Sequence, residues 1–314
     1  MEKTMEGDAE RKFRIAFFGS GNFAHRVLLN LIENNVIPDI VVTSPDAPSG
    51  RGRQLRATKV KEVALQKGIP CLQPYDPNNP GFIEEVKNRE IEYILLTDYG
   101  KILKKELFDI PKIAPLNLHP SLLPKYRGAS PLERAIMNGE KYTGFTIFIM
   151  DEKVDTGDIL YQKKVEIDDK TRGELEEEIA SLAGKIMYDV MLKKADNKIK
   201  PKPQKGKSTY AKKIKEDELW IDWKKDAEEV KNKIHALSPL PGARTHFDGK
   251  YTKIFKVKVH KDKNGSAGRI KIENGVLYVF CGKGAIEIIE LQPAGKKIME
   301  AKEYILGYHP LWAE

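Results

Sequence analysis

An asparagine and a histidine two residues apart, close to the end of an apolar run, are the first residues here that suit chemistry. They stand in Asn117-Leu118-His119-Pro120-Ser121-Leu122-Leu123-Pro124-Lys125-Tyr126-Arg127-Gly128, and Val154-Asp155-Thr156-Gly157-Asp158 follows downstream. On a strand, side chains two apart share one face. Asparagine offers a neutral hydrogen bond, and imidazole titrates near pH 7. Gly157 permits a turn that brings Asp155 inward. Ser121 is a formal nucleophile, but it sits beside Leu122-Leu123-Pro124 and lacks the elbow pattern of a catalytic serine. The set therefore suits attack by a substrate's own nucleophile on a carbonyl. Asn117 and protonated His119 would stabilise the oxyanion. His119 would relay the proton, and Asp155 would orient the imidazole. The alternative is that Asn117 and His119 are strand-end polar residues satisfied by backbone.

These residues need a scaffold, and the first 190 residues supply its pattern. Apolar runs at Phe13–Ser20, Asp39–Ser44, Ile69–Leu72, Ile91–Thr97, Pro115–His119 and Gly144–Met150 read as strands. Helical spacing occupies Asn22–Asn34, Val60–Gln66, Phe82–Lys87 and Pro131–Met137, and a long helix runs from about Arg172 to Lys193. Apolar strands alternating with helices indicate an α/β domain with a mainly parallel, Rossmann-like sheet. Sites in such sheets lie at the carboxyl ends of strands, where Asn117 and His119 fall. The last 100 residues differ. A short helix near Ala227–Leu237 precedes strand-like runs at Tyr251–Val259, Arg269–Glu273, Val276–Cys281 and Ile286–Leu291, punctuated by Gly and Asn. They predict a small β-barrel.

Length and charge agree with this division. A chain of 314 residues is long enough for two domains. It divides into a polar extension over 1–12, a catalytic domain over 13–192, a linker over 193–215 and a small domain over 216–314. The linker holds ten Lys and one Asp, so its +9 exceeds the +8 of the whole chain. Such a stretch is either a solubilising linker or a phosphate-binding strap, whose contacts add salt-dependent affinity but no sequence selectivity. Two cysteines, Cys71 and Cys281, are too few for a disulfide framework or a cysteine zinc site. His25, His235, His246, His260 and His309 show no metal-ligand spacing. No metal is expected. The polar start and the lack of an apolar run near 18 residues predict no leader, no membrane association and a cytoplasmic location. A monomer without an obligate protein partner is expected. Trp220 and Trp223 read either as nucleotide-stacking platforms or as packing residues.

One pattern competes. Gly19-Ser20-Gly21-Asn22-Phe23-Ala24 fits the dinucleotide fingerprint between a strand and a helix. However, any tight strand-to-helix turn favours glycine. The acidic candidate Asp46 lies in a Pro/Gly loop rather than at a strand end, so the pattern alone does not carry a nicotinamide reading.

The stretch from Asn117 to Gly128, with Asp155-Thr156-Gly157 after it, resembles the formyltetrahydrofolate-dependent formyltransferases, whose pattern is N-x-H-x-S-L-L-P-x-x-R-G followed by D-x-G. The resemblance implies catalytic roles for Asn117, His119 and Asp155. It implies a folate-binding segment at Ser121, Leu122, Leu123 and Pro124, a 10-formyltetrahydrofolate donor and an amine acceptor. Further segments resemble the branch whose acceptor is methionyl initiator tRNA. One is the loop Thr43-Ser44-Pro45-Asp46 through Gly50-Arg51-Gly52-Arg53. Others are Arg127-Gly128-Ala129-Ser130-Pro131, Trp220-Ile221-Asp222-Trp223 and Leu291-Gln292-Pro293-Ala294-Gly295-Lys296-Lys297. That branch implies an OB-like C-terminal domain that helps hold tRNA, with Arg51, Arg53, Lys205 and Lys207 as candidate tRNA contacts. Another amine acceptor, such as an amino-sugar nucleotide, is the alternative. The chain departs from the branch at Gly19-Ser20-Gly21, where G-T-P is usual. It departs again at Ala47, where the loop often carries a basic residue. A third departure is Asp98, where a small residue is usual. Asp98 reads as a folate-pocket residue, a helix cap or a solvated strand end.

Overall fold

The computed structural model describes residues 11–49 and 54–314. Four-residue apolar runs such as Ile15–Phe18 are buried throughout, as central parallel strands must be. They build a seven-stranded sheet in the order Ile159–Glu166, Tyr142–Ile149, Ala114–His119, Tyr93–Leu96, Ile15–Phe18, Ile40–Val42, Cys71–Leu72. Pairing is parallel from Cys71–Leu72 through Ala114–His119. It turns antiparallel where Ala114–His119 meets Tyr142–Ile149.

Helices cover both faces. Phe18, Ile94, Val86, Leu107 and Phe108 share one apolar cluster. It gathers the helices Pro80–Lys87 and Lys105–Phe108 onto one face. Phe17, Val27, Leu31, Leu95 and Met187 pack on the other, which brings in the helices Asn22–Glu33 and Arg172–Ala195. Gly184 lies so close to Asn30 that a Cβ there would come within 2.8 Å of its carbonyl oxygen. Helix starts are set locally. Thr58 accepts from the amide of Lys61, and Asn79 from that of Gly81.

The chain divides into two compact units. One takes the residues through His119, Thr146–Gln162 and Ala180–Lys205. The other takes Pro120–Phe145, Lys163–Ile179 and Gly206–Glu314. The second unit carries an antiparallel sheet in the order Ala243–Phe247, Lys250–His260, Ala285–Pro293, Val276–Phe280, Ile270–Glu273, with Met299–Glu300 also paired to Ala285–Pro293. Its core centres on Ile254, Leu277, Val279, Ile286 and Leu291. Trp223 is buried there and donates to Thr245 Oγ1 at 3.0 Å, a packing role. Trp220 instead stacks on His246 at 5.0 Å between ring centroids.

The lysine-rich stretch is pinned in each unit. Lys202 and Ile159 exchange backbone hydrogen bonds of 2.8 and 2.9 Å. Tyr210–Ala211 forms a parallel pair with Arg127–Gly128. No described helix is long and apolar enough to cross a membrane.

Candidate active site

The strand Ala114–His119 alternates as its pattern requires. Leu116 and Leu118 are buried on one face, and Asn117 and His119 point to the other. Register fixes both polar residues. Asn117 pairs with Leu96 on one side and Phe148 on the other, and His119 pairs with Thr146. Backbone pairing, on two sides for Asn117 and on one for His119, fixes the direction in which each side chain leaves the strand.

Asp155 arrives on a turn. Its φ is +55°, a region that non-glycine residues rarely adopt. Gly157 is required for close packing, because a Cβ there would lie 1.8 Å from the carbonyl oxygen of Ile149. The turn closes on Asp151, whose carboxylate accepts from Thr156 Oγ1 at 2.7 and 2.8 Å and from the Lys153 amide at 3.1 Å. Asp155 Oδ1 then lies 3.8 Å from His119 Nδ1. The two residues are only 6% and 8% exposed. At this separation they form a charge pair when the imidazole is protonated, one step short of a direct hydrogen bond. Asn117, His119 and Asp155 all lie in one unit, where Asp155 faces His119.

A cavity of about 130 Å³ opens beside it. Leu96, Leu103, Phe108, Phe148 and Met150 supply apolar wall, Asn117 and Asp155 the polar end, and Lys101, Asp151, Glu152 and Lys153 a charged margin. Ile102 and Val154, also lining residues, are left 73% and 57% exposed. Lys101 Nζ donates to the carbonyls of Pro74 and Tyr75 at 2.9 and 2.6 Å. Sequence reasoning missed this wall. Its signal was available as apolar residues beyond strand ends, Ile102 and Leu103 after Tyr93–Leu96 and Met150 after Tyr142–Ile149.

The other expected site residues fall elsewhere. Ser121 is buried, and its Oγ donates to the carbonyl of Lys125 at 2.7 Å, which braces the loop. Leu123 is buried, and Leu122 lies over Gly144. Lys205 and Lys207 are exposed. Arg51 and Arg53 lie outside the described residues.

Asp98 is a cap. Its carbonyl accepts from the amides of Ser20 and Gly21, both at 3.0 Å, and its carboxylate accepts from the amide of Phe23 at 3.2 Å. These amides open the helix Asn22–Glu33, whose own N-cap residue, Gly21, has no side chain to offer. A Cβ on Gly21 would meet Asp98 Oδ2 at 1.8 Å. Gly21 and Asp98 therefore fit as a pair, and the helix N-terminus already holds a carboxylate. The donors that a dinucleotide pyrophosphate requires are used. Asp46, the nominal ribose carboxylate, is bound by Lys61 at 2.7 Å and Gln73 at 2.8 Å, and these partners hold it below the usual carboxylate range.

A family model described as formyl transferase matches residues 13–191, more than half the chain. The chain belongs to the formyl transferase family. A second model, formyl transferase C-terminal domain, matches residues 213–309 of this formyl transferase. It is 41% identical to the methionyl-tRNA formyltransferase of Thermodesulfovibrio yellowstonii over 93% of this chain and 95% of that one. Its fold resembles that of HypX from Aquifex aeolicus, solved with tetrahydrofolic acid, with TM-score 0.62 and 18% identity. That match covers 95% of this chain but only 47% of HypX. It also resembles an N-formyltransferase from Helicobacter canadensis, solved with folinic acid and dTDP-3-aminofucose. There the TM-score is 0.63 and the identity 20%, covering 90% of this formyl transferase and 99% of the other chain.

Proposed function

We propose that this formyl transferase moves a formyl group from 10-formyltetrahydrofolate to the α-amine of methionyl initiator tRNA. The observation that carries the reading is that Asn117 and Asp155 line the 130 Å³ cavity while Asp155 faces His119 at 3.8 Å. The full-length likeness to a methionyl-tRNA formyltransferase supports the choice of acceptor. The neutral amine attacks the formyl carbon, and a C–N bond forms as the carbonyl becomes an oxyanion. Asn117 Nδ2 and the His119 imidazolium are the donors for that oxyanion. Asp155 stabilises the imidazolium and fixes its orientation. Collapse breaks the bond from the formyl carbon to N10 of the folate, and the proton lost by the amine passes through His119 to N10. The products are formylmethionyl-tRNA and tetrahydrofolate. No metal enters the scheme.

The cavity suits the pterin end of the donor. Leu103, Phe108, Phe148 and Met150 offer apolar contact to a flat ring, and the carboxylates of the charged margin, Asp151 and Glu152, accept from ring N–H groups. Ser121, Leu122, Leu123 and Pro124 form the further donor-contacting loop of this reading. We take residues 13–192 as the catalytic domain, 193–215 as the strap and 216–314 as an OB-like tRNA-holding domain. Arg51, Arg53, Lys205 and Lys207 meet phosphate or acceptor-end groups.

Formyl transfer from 10-formyltetrahydrofolate to methionyl initiator tRNA, run beside His119→Ala, tests the proposal. Product is expected from the wild type, with a loss of about 100–1,000-fold in the variant, as for removal of an oxyanion donor. Formylation of an amino-sugar nucleotide but not of the tRNA would overturn the acceptor and leave the donor intact.

A further inference from the structure

The proposed catalytic carboxylate is held by a residue 49 positions away. Gln204 belongs to the lysine-rich stretch, two residues past the point where Lys202 and Ile159 exchange backbone hydrogen bonds. Its side-chain nitrogen Nε2 donates to the carbonyl of Asp155 at 3.0 Å and to that of Gly157 at 2.9 Å. A primary amide carries two N–H donors, and here both are spent on one turn. That turn needs support. Asp155 has φ +55°, and Gly157 is seated against the backbone of Ile149. A backbone held in a sparsely populated conformation persists only where its surroundings over-determine it. Asp151 secures the near side of the turn through Thr156 and Lys153, and Gln204 secures the side that carries Asp155.

We propose that Gln204 is a positioning residue that couples the lysine-rich stretch to the Asp155 turn. Through it, docking of the acceptor's phosphates on that stretch sets the approach of Asp155 to His119. Lys202 and Lys205 flank Gln204 and are exposed, so an anion bound to them acts on the same short segment. The 3.8 Å gap between Asp155 and His119 is about 1 Å longer than a charge-assisted hydrogen bond. A movement of that size is what a side-chain latch on the turn can govern, and such displacements change rates strongly. The inference rests on the proposed function for its acceptor, and on the hydrogen bonds alone for its geometry.

The test uses the full chain with Gln204→Met, which keeps length and removes both donors, and Gln204→Glu, which keeps shape and cannot donate. The expected result is a kcat about tenfold lower, KM for donor and tRNA each within about twofold, and a melting temperature lowered by no more than about 5 °C. The kcat advantage of whole methionyl-tRNA over a short aminoacylated acceptor fragment should shrink in both variants. An unchanged kcat, a change confined to KM for tRNA, or a lower melting temperature with normal kcat would each overturn the proposal. Carbon-13 NMR of the histidine rings without substrate gives a readout independent of activity. The His119 signals should move in Gln204→Met while those of the other five histidines stay. If they do not move, the latch is absent. If they move and the wild type forms no product, the latch stands and the proposed function fails.

Discussion

Each compact unit buries one histidine, and the two are built for opposite purposes. His119 ends a sheet strand, faces Asp155 at 3.8 Å and adjoins a cavity that Asp155 and Asn117 line. His235 sits in the last turn of the helix Ala227–Leu237, and its Nε2 accepts from the amide of Val257 at 3.4 Å. Burial and the nearby Lys231 push its pKa down to about 4, against a weaker opposing pull from Asp169. One imidazole faces a carboxylate beside a cavity. The other is kept neutral as an acceptor inside a core. Burial alone therefore does not tell these two histidines apart. The groups facing them do.

Substitution should separate the two regions most sharply. His119→Ala and Asn117→Ala should each lower kcat by about 100–1,000-fold with little change in melting temperature. His235→Ala should instead cost about 2–4 kcal/mol of stability, as core truncations do, and leave the turnover of folded molecules intact. Kinetics and thermal melts on the same samples decide this. Equal activity losses in both would erase the contrast.

Acid should sharpen the comparison next. His235 has a folded pKa of about 4, below the ordinary imidazole value of 6.5. Below pH 6.5 the unfolded chain takes up a proton that the folded chain refuses. The stability is complete above pH 6.5 and falls as pH drops toward 4. The total is about 3 kcal/mol. Denaturant melts from pH 7 to 4 should show that slope, and His235→Gln should flatten it.

Smaller effects probe the turn and the cap. Gly157→Ala drives a Cβ into the Ile149 carbonyl, so kcat should fall about tenfold or more as Asp155 is displaced. Asp98→Ala should cost about 1 kcal/mol, the usual worth of a helix cap. Gly21→Ala should cost at least as much, because it displaces the same carboxylate. A melt of each variant measures this. No change in either would remove the cap assignment.

Much of the scaffold was legible because its signals are local. The helix Ala227–Leu237 and the strands around Ile15–Phe18 and Tyr93–Leu96 follow from periodicity, since a buried central strand must be apolar on both faces. The strand Ile159–Glu166 was not read. It lies at the sheet edge with one partner strand, and Gln162, Lys163 and Lys164 are exposed. Edge position removes the apolar run that betrays a strand. The three-residue strand Ala47–Ser49, paired with Gln54–Arg56 in a sheet of its own, was missed because it too has no apolar run.

The site divides in the same way. The sequence by itself determined that Asn117 and His119 share a face at a strand end, because side-chain alternation is a property of the strand alone. It also determined the family resemblance and the concentration of positive charge in residues 193–215. Only the tertiary structure decided that Asp98 caps a helix 75 residues before it and that Asp46 belongs to Lys61. The cavity wall at Leu103, Phe108 and Met150, and the grip of Gln204 on the Asp155 turn, were decided there too. The physical reason is range. Periodicity and turn chemistry act over a few residues, whereas a hydrogen bond between distant residues depends on sheet order and register, which no local pattern states.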